Sequence, residues 1–175
     1  TKHELSLGML GMHGTVYANY ATAEADLIIA AGIRFDDRIT GNPDKFCKNA
    51  KIIHIDIDPA EIGKNKKPDI PIVGDLKNIL TEINEKLKDK DNKEWHAKIK
   101  EWKEEYPLIY KKQDESKLCP QEVLEKINSI VKGEAIIVTD VGQHQMWAAQ
   151  YLDYEKPNTI CTSGGAGTMG FGLPA

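Results

Sequence analysis

A chain of 175 residues with 41% hydrophobic and 29% charged residues has the balance of one globular domain, or one plus part of another, and not that of a disordered or fibrous protein. A formal net charge of −4, with the lysines of residues 86–112 interleaved with acids, argues against nucleic-acid or membrane-surface partners recruited by bulk electrostatics. Cys47, Cys119 and Cys161 form no CxxC pair, which argues against a disulfide scaffold or a structural zinc site and fits a reducing compartment.

The chain starts at Thr1 without a basic segment leading into a long apolar one, so no signal peptide is expected. It ends on the apolar, glycine-rich GTMGFGLPA, and it reads as an internal piece of a longer protein. No apolar run approaches the roughly 20 residues that cross a bilayer.

The first segment of interest is GMLGMHG, with Gly8, Gly11 and Gly14 ahead of a predicted helix, HGTVYANYATAEA. Close glycines let a backbone approach a ligand, and N–H groups at a helix start attract phosphate. A tight turn that packs the helix closely explains the same spacing equally well.

Next, ADLIIAAG (25–32) predicts a strand, followed by Gly32, Arg34, Asp36, Asp37 and Arg38. Ligands bind at the C-terminal edge of open parallel sheets, although charges this close also pair with one another. KIIHIDID (51–58) predicts a second strand, ending on Asp56 and Asp58. An acid at that point suits the ribose hydroxyls of an adenine nucleotide, and we assign that role to Asp56 and a helix cap to Asp58, which precedes Pro59. IPIVGD (70–75) predicts a third strand; its Asp75 can cap a helix striped by Leu76, Ile79, Leu80, Ile83 and Leu87, face a ligand, or both.

Trp95, Ile99 and Trp102 mark a helix ending before Pro107, and Pro120 opens another with Val123, Leu124, Ile127, Ile130 and Val131 on one stripe. EAIIVTDVG (134–142) predicts a strand running into the helix QHQMWAAQYL, where Gln143 and His144 sit at a helix start suited to a diphosphate; His144 fits acid/base work or a simple hydrogen bond. NTICTSGG (158–165) predicts a last strand, and five glycines follow within Gly164–Gly172. Such a backbone presses against a ligand or another chain, with Met169 as packing or as an apolar wedge under a cofactor ring.

Continuous apolar runs predict strands buried on both faces, as in parallel sheets, and the strand–helix alternation predicts an α/β fold: a parallel-sheet central domain with helices on both faces, then the truncated start of a second α/β domain. The boundaries read from the sequence are 1–90 for the first domain, 91–118 for a connecting helix and linker, and 119–175 for the second.

The strings LGMHGTVYANYA, GIRFDDRITG, KIIHIDIDPAEIGKN, VGQHQMWAAQ and SGGAGTMGFGLPA, in that order, resemble the catalytic subunits of the acetolactate synthase (acetohydroxyacid synthase) family of thiamine-diphosphate enzymes. The resemblance runs over nearly the whole chain and is weakest at 85–118. It implies an enzyme that decarboxylates pyruvate on thiamine diphosphate and joins the two-carbon unit to a second pyruvate or to 2-oxobutyrate, the start of branched-chain amino-acid synthesis.

The resemblance places FAD, which does no net redox work, against Leu10, Gly11, Met12 and His13, against Gly32, Ile33, Arg34, Phe35 and Asp36, against Asp56 and Ile57, and against Asp75 and Leu76. It places thiamine diphosphate against Val141, Gly142, Gln143, His144, Gly167, Thr168 and Met169, with Asp37 and Arg38 lining the substrate channel. The activating glutamate and the Mg²⁺ ligands of the family are expected outside these residues, so the chain alone is expected to be inactive. A homodimer or tetramer of the catalytic subunit, a small regulatory subunit, and a cytoplasmic, plastid or mitochondrial setting also follow from the resemblance. A sister enzyme such as a pyruvate oxidase, or a non-catalytic adenine-nucleotide module, are the competing readings; the segments at 141–144 and 164–172 separate a thiamine enzyme from the module.

Overall fold

Each Ile/Val-rich run becomes a strand in the computed structural model, which describes residues 3–112, 114 and 116–175. The chain divides into two compact units, Asn19–Glu105 and Thr1–Ala18 with Tyr106–Ala175. Residues 1–18, which chain order placed in the first unit, thus cluster with the second.

In chain order, α1 (Val16–Glu24) crosses the boundary at residue 18 and is followed by β1 (Leu27–Ala31), α2 (Asp37–Thr40), β2 (Lys51–Asp56), β3 (Ile70–Val73), α3 (Leu76–Lys86) and α4 (Lys93–Glu105). The strands form a parallel sheet in the order β1-β2-β3. Ala31 pairs with Ile55, and Asp56 with Val73, so the three strands end level with one another.

Side chains alternate across a strand, and this register puts Ile28, Ala30, Ile52 and His54 on one face. Over β1 and β2 that face is sealed, while Val73 of β3, on the same face, is 55% exposed. Ala30, Phe35 and Ile52 form its core, with Ile28, Ile33 and Phe46 packed against them. The other face carries Leu27, Ile29 and Ile70, each about half exposed, and only Ile55 on it is fully buried. Among the described residues, burial on both faces, expected from the apolar runs, therefore holds on one face only, and there over β1 and β2.

Two local features depart from the expected pattern. α2 is a single turn, too short to show periodicity; Asp36 caps it by accepting from Arg38 N and Ile39 N, and Gly41, at φ 58°, ends it. After β2, residues 59–64 form turns and not a helix: Asp58 Oδ1 accepts from Ala60 N at 2.8 Å, and Gly63 adopts φ 75°, a left-handed conformation that breaks helical continuation. α4 holds to the unit through Trp102, which is buried and meets Trp95 edge-on at 5.8 Å and Tyr20 of α1 at 5.9 Å.

The second unit contains a 3₁₀ turn (Gly11–His13), α5 (Pro120–Val131), β4 (Ile137–Thr139), α6 (Gln143–Tyr151) and β5 (Ile160–Thr162). β4 and β5 pair in parallel, Thr139 opposite Thr162, and the two hydroxyls are bonded at 2.8 Å. The buried Gln145 donates to the same Thr162 hydroxyl at 2.6 Å, fixing the first turn of α6 beside the strands. α5 is joined to the segment just after α6 by a reciprocal pair in which Asn128 Nδ2 donates to Asp153 Oδ2 and Asp153 N donates to Asn128 Oδ1. On α5 the stripe is incompletely covered, with Ile130 69% exposed. Among the described residues no helix is long and apolar enough to cross a membrane.

Cys47 is 3% exposed and its Sγ donates to Thr22 O at 3.3 Å. Burial pushes its thiol up to about 11, so it stays protonated and unreactive well above neutrality. Cys119 and Cys161 are half-buried. Iodoacetamide at about pH 8, where an ordinary thiol begins to ionise, is expected to label Cys119 and Cys161 of the native chain ahead of Cys47, as read by peptide mass spectrometry. Labelling of Cys47 at the same rate as the other two would contradict the burial.

Candidate functional site

The level ending of β1, β2 and β3 brings Gly32, Asp56 and Gly74 to one sheet edge. Gly32 N donates to Ile55 O at 2.8 Å and Gly74 N donates to Asp56 O at 2.9 Å, continuing the parallel ladder one residue past each strand. Gly32 adopts φ 64°, and a side chain there would project into open space. The backbone at this point is therefore bare, as a ligand cradle requires.

The loop beyond Gly32 is held from below. His54 is fully buried, its ring edge-on to Phe35 at 5.1 Å, and Nε2 donates to Ile33 O at 2.7 Å. His54 Nδ1 is buried and has no partner among the described residues. Asn65 Nδ2 donates to Arg34 O at 2.9 Å. Phe35 takes φ 49° and buries its ring in the core, leaving its backbone as the part open to a ligand.

The aspartates at this edge are not equivalent. Asp36 is occupied by Arg38 N, Ile39 N and Arg34 Nε. Asp75 caps α3 through Asn78 N at 3.0 Å, with Leu76 as the first helical residue. Asp56 accepts from Asp58 N through Oδ1 only, and its second oxygen has no partner among the described residues. Ile57 beside it is 72% exposed. Asp56 is thus the acid best able to accept from a ribose hydroxyl. Asp37 and Arg38 approach to 3.7 Å with both side chains largely exposed, a solvated pair that contributes little to stability.

Leu10, Gly11, Met12 and His13 lie in the other unit, on the 3₁₀ turn and its entry. Gly14 closes this turn. A Cβ on Gly14 would lie 2.2 Å from Met9 O and 2.5 Å from Leu10 Cα, so the glycine is there for backbone packing. Thr15 N donates to Met9 O, and Thr15 Oγ1 accepts from Ala18 N to start α1. A cavity of about 400 Å³ lined by His13, Tyr17, Gln150, Asp153 and Tyr154 opens beside the turn, and Gln150 Nε2 donates to Gly14 O at 3.2 Å. A larger, open cleft of about 880 Å³ between residues 24–27 and 90–95 contains none of the candidate residues.

Around β4 the structure brings together two segments that are distant in sequence. Val141 and Gly142 lead into α6, with Gln143 and His144 exposed at its first turn. The glycine-rich segment bearing Gly167, Thr168 and Met169 returns to the same place because Asp140 receives it. Asp140 Oδ1 accepts from Val141 N at 2.6 Å and Gly170 N at 3.0 Å, and Oδ2 accepts from Gly172 N at 3.1 Å. Those backbone N–H groups, Val141 first, with His144 nearby, hold the Asp140 carboxyl below the usual carboxylate range. Met169 is 75% exposed, an apolar side chain available to a flat ring. Sequence reading passed over Asp140; an acid at the end of a strand, the same signal that marked Asp56, points to it.

The residues present fit FAD at the first sheet edge, where bare glycine backbone stands beside a half-free carboxylate. They fit thiamine diphosphate around β4, where helix-start amides and an exposed methionine are brought together. Among the described residues no group of three or more His, Cys, Asp and Glu is arranged to hold a metal ion.

Residues 1–83 match the family described as thiamine pyrophosphate enzyme, central domain, and residues 140–175 match thiamine pyrophosphate enzyme, C-terminal TPP binding domain. The chain is 53% identical over 177 residues to acetolactate synthase 1, chloroplastic, of Oryza sativa subsp. japonica, covering 98% of this chain and 27% of that protein. It is 51% identical over 181 residues to acetolactate synthase 1, chloroplastic, of Nicotiana tabacum, covering 100% of this chain and 27% of the relative. To the acetolactate synthase of Mycobacterium leprae (strain TN) it is 50% identical over 179 residues, covering 99% and 29% respectively. The chain therefore spans under a third of the length of these curated relatives.

Two outcomes follow from this geometry. Gly14→Ala forces a Cβ against backbone and is expected to destabilise the chain by more than about 2 kcal/mol in urea unfolding, in line with steric strain at a closed turn; an unchanged midpoint would mean that the turn opens freely. Asp140 has a lowered pKa, so its contribution to stability is full above the unfolded carboxyl value of about 3.9 and is lost as pH falls through the lower, folded value. A ¹³C titration of the Asp140 carboxyl should give a midpoint below that of a free aspartate, and a midpoint at or above it would contradict the three hydrogen bonds.

Proposed function

The chain belongs to the thiamine pyrophosphate enzyme family, and on that premise we propose that it forms part of the catalytic subunit of an acetolactate synthase. The reaction is the decarboxylation of pyruvate followed by union of its two-carbon unit with a second 2-oxo acid, pyruvate or 2-oxobutyrate. The observation that carries this reading is the meeting of Val141–His144 with the Gly167–Met169 segment through Asp140. A simple nucleotide-binding module has no use for that arrangement.

When bound, thiamine diphosphate supplies the electron sink that makes loss of carbon dioxide from a 2-oxo acid possible. The chain's own residues hold and orient it. Gly142, Gln143 and His144 offer amides and polar side chains at the start of α6 to the diphosphate end. Val141, Gly167 and Thr168 line the approach. Met169, 75% exposed, would offer the cofactor an apolar surface.

FAD is proposed to rest on the edge formed by Gly32, Ile33, Arg34, Phe35 and Asp36, with Asp56 accepting from the ribose, Ile57 beside it and Asp75 and Leu76 closing the edge. Leu10, Gly11, Met12 and His13 are assigned to the flavin by the family resemblance alone. Asp37 and Arg38, exposed after the first strand, suit a substrate channel in which a guanidinium meets the carboxylate of a 2-oxo acid. Mg²⁺ and the acid that activates the cofactor are proposed to come from elsewhere in a longer enzyme, which works as a homodimer or tetramer, with or without a small regulatory subunit, in cytoplasm, plastid or mitochondrion.

Calorimetric titration of the 175-residue chain tests the division of cofactors. FAD should bind measurably, and Asp56→Ala should weaken it by about tenfold, the loss expected for hydrogen bonds to a charged acceptor. Thiamine diphosphate with Mg²⁺ should not bind measurably, and pyruvate should give no acetolactate. Tight thiamine-diphosphate binding by this chain, or FAD binding indifferent to Asp56, would overturn the assignment.

A further inference from the structure

The segment Gly164–Gly172 presents a physical problem. Five glycines in nine residues give it more backbone freedom than any other stretch of the chain, and ordering such a backbone is entropically expensive. Residues 164–170 are all exposed, so side-chain burial does not hold them. Local bonds fix one turn: Gly167 N donates to Ser163 O at 2.9 Å and Thr168 N donates to Ser163 Oγ at 3.1 Å. The far half, with Met169, returns to β4 through Asp140. Gly170 N and Gly172 N, 30 and 32 residues away in sequence, converge on its two carboxylate oxygens.

The fit is close on the backbone side as well. A Cβ on Gly172 would lie 2.7 Å from Asp140 N and 3.1 Å from both Asp140 Cβ and Thr139 C. Glycine at 172 is what allows the segment to reach the carboxylate. The third donor, Val141 N, belongs to the residue that leads into α6. One carboxylate therefore ties the approach to the α6 start and the return of the glycine segment to a common point.

We propose that Asp140 is a positioning residue of the thiamine-diphosphate site, fixing the Met169-bearing segment against the entry to α6 before the cofactor arrives. The inference rests on the function proposed above, and it adds a residue that touches neither cofactor nor substrate. Its effect is preorganisation: a segment already held in its binding shape does not spend binding energy on being ordered. Alanine at 140 removes every acceptor oxygen. Asparagine keeps the shape and one acceptor but offers an N–H₂ where the second N–H donor arrives.

The test uses Asp140→Ala and Asp140→Asn, read in two ways. In the 175-residue chain, amide hydrogen exchange at Gly170 and Gly172 should speed up by about tenfold or more in the alanine variant and by less in asparagine, as expected when charge-assisted bonds are lost. In the full-length enzyme, the thiamine-diphosphate concentration giving half-maximal activity should rise by about tenfold or more with alanine, a factor set by the same bonds. Asparagine should fall between, and FAD content should stay at its original level.

A role in general stability alone would lower FAD content in parallel and would overturn the proposal. So would half-saturation within about twofold of the original in both variants, a change too small for the loss of charge-assisted bonds. Unchanged exchange at Gly170 and Gly172 would overturn it directly. If the unaltered enzyme takes no thiamine diphosphate, the functional reading fails, whereas the exchange result still decides whether Asp140 holds the segment. Should the alanine variant fail to fold, the asparagine variant, equal in shape, decides on the same readings.

Discussion

Parallel pairing with level strand ends is the constraint from which the rest of this chain follows. Parallel strands carry their connections across the sheet, so every strand leaves the sheet on the same side. With Ala31 opposite Ile55 and Asp56 opposite Val73, the residues that follow the strands have no choice but to collect at one edge. The same logic repeats in miniature where Thr139 faces Thr162: Asp140 and Ser163, the next residues along, emerge side by side. Leu10–His13 apart, each proposed cofactor region is the stretch immediately after a set of parallel strands, and its chemistry is drawn from the turn residues forced to gather there.

At those edges, carboxylates meet backbone N–H groups more often than they meet cations. Asp36 and Asp75 satisfy the first turns of α2 and α3, Asp56 supports the turn at Asp58, and Asp140 takes three amides. The division of labour follows from how much acceptor capacity each has left. Asp36 and Asp140 are largely consumed by protein donors and act by shaping backbone. Asp56 retains an oxygen and can still act on a ligand. The neighbouring arginines pair at the surface, where solvent screens them, and remain able to turn toward a substrate.

The strands were readable because Ile and Val concentrate in them, with His54 of β2 a polar exception, and the long helices because start signals such as the Asp75 cap and Pro120 in the first turn coincide with apolar stripes. α2 escaped because a single turn has no period to detect. The turns at 59–64 escaped because Asp58–Pro59 starts a helix and a tight turn alike, and Gly63 decides between them only through its left-handed φ. The roles of Asp56, Met169 and the other site residues came from their position after strands together with the resemblance. Asp140 carried the same strand-end signal as Asp56, but its role did not show in the sequence: two of its partners lie 30 and 32 residues onward, a separation at which no local pattern carries information. The grouping of residues 1–18 with 106–175 is likewise a matter of tertiary contact that chain order does not report.

The open sheet face has a thermodynamic corollary. Leu27, Ile29 and Ile70 remain about half in water after folding, and so do not change their hydration fully when the chain unfolds. The heat-capacity increment of unfolding, usually about 12–15 cal/mol/K per residue, comes mainly from newly wetted apolar surface. For this chain it should fall below that range, and the denaturant m-value, which follows the same surface, should be small for its length. A smaller increment flattens a stability curve, so an open apolar face works toward a broad, shallow dome that warming and cooling erode slowly.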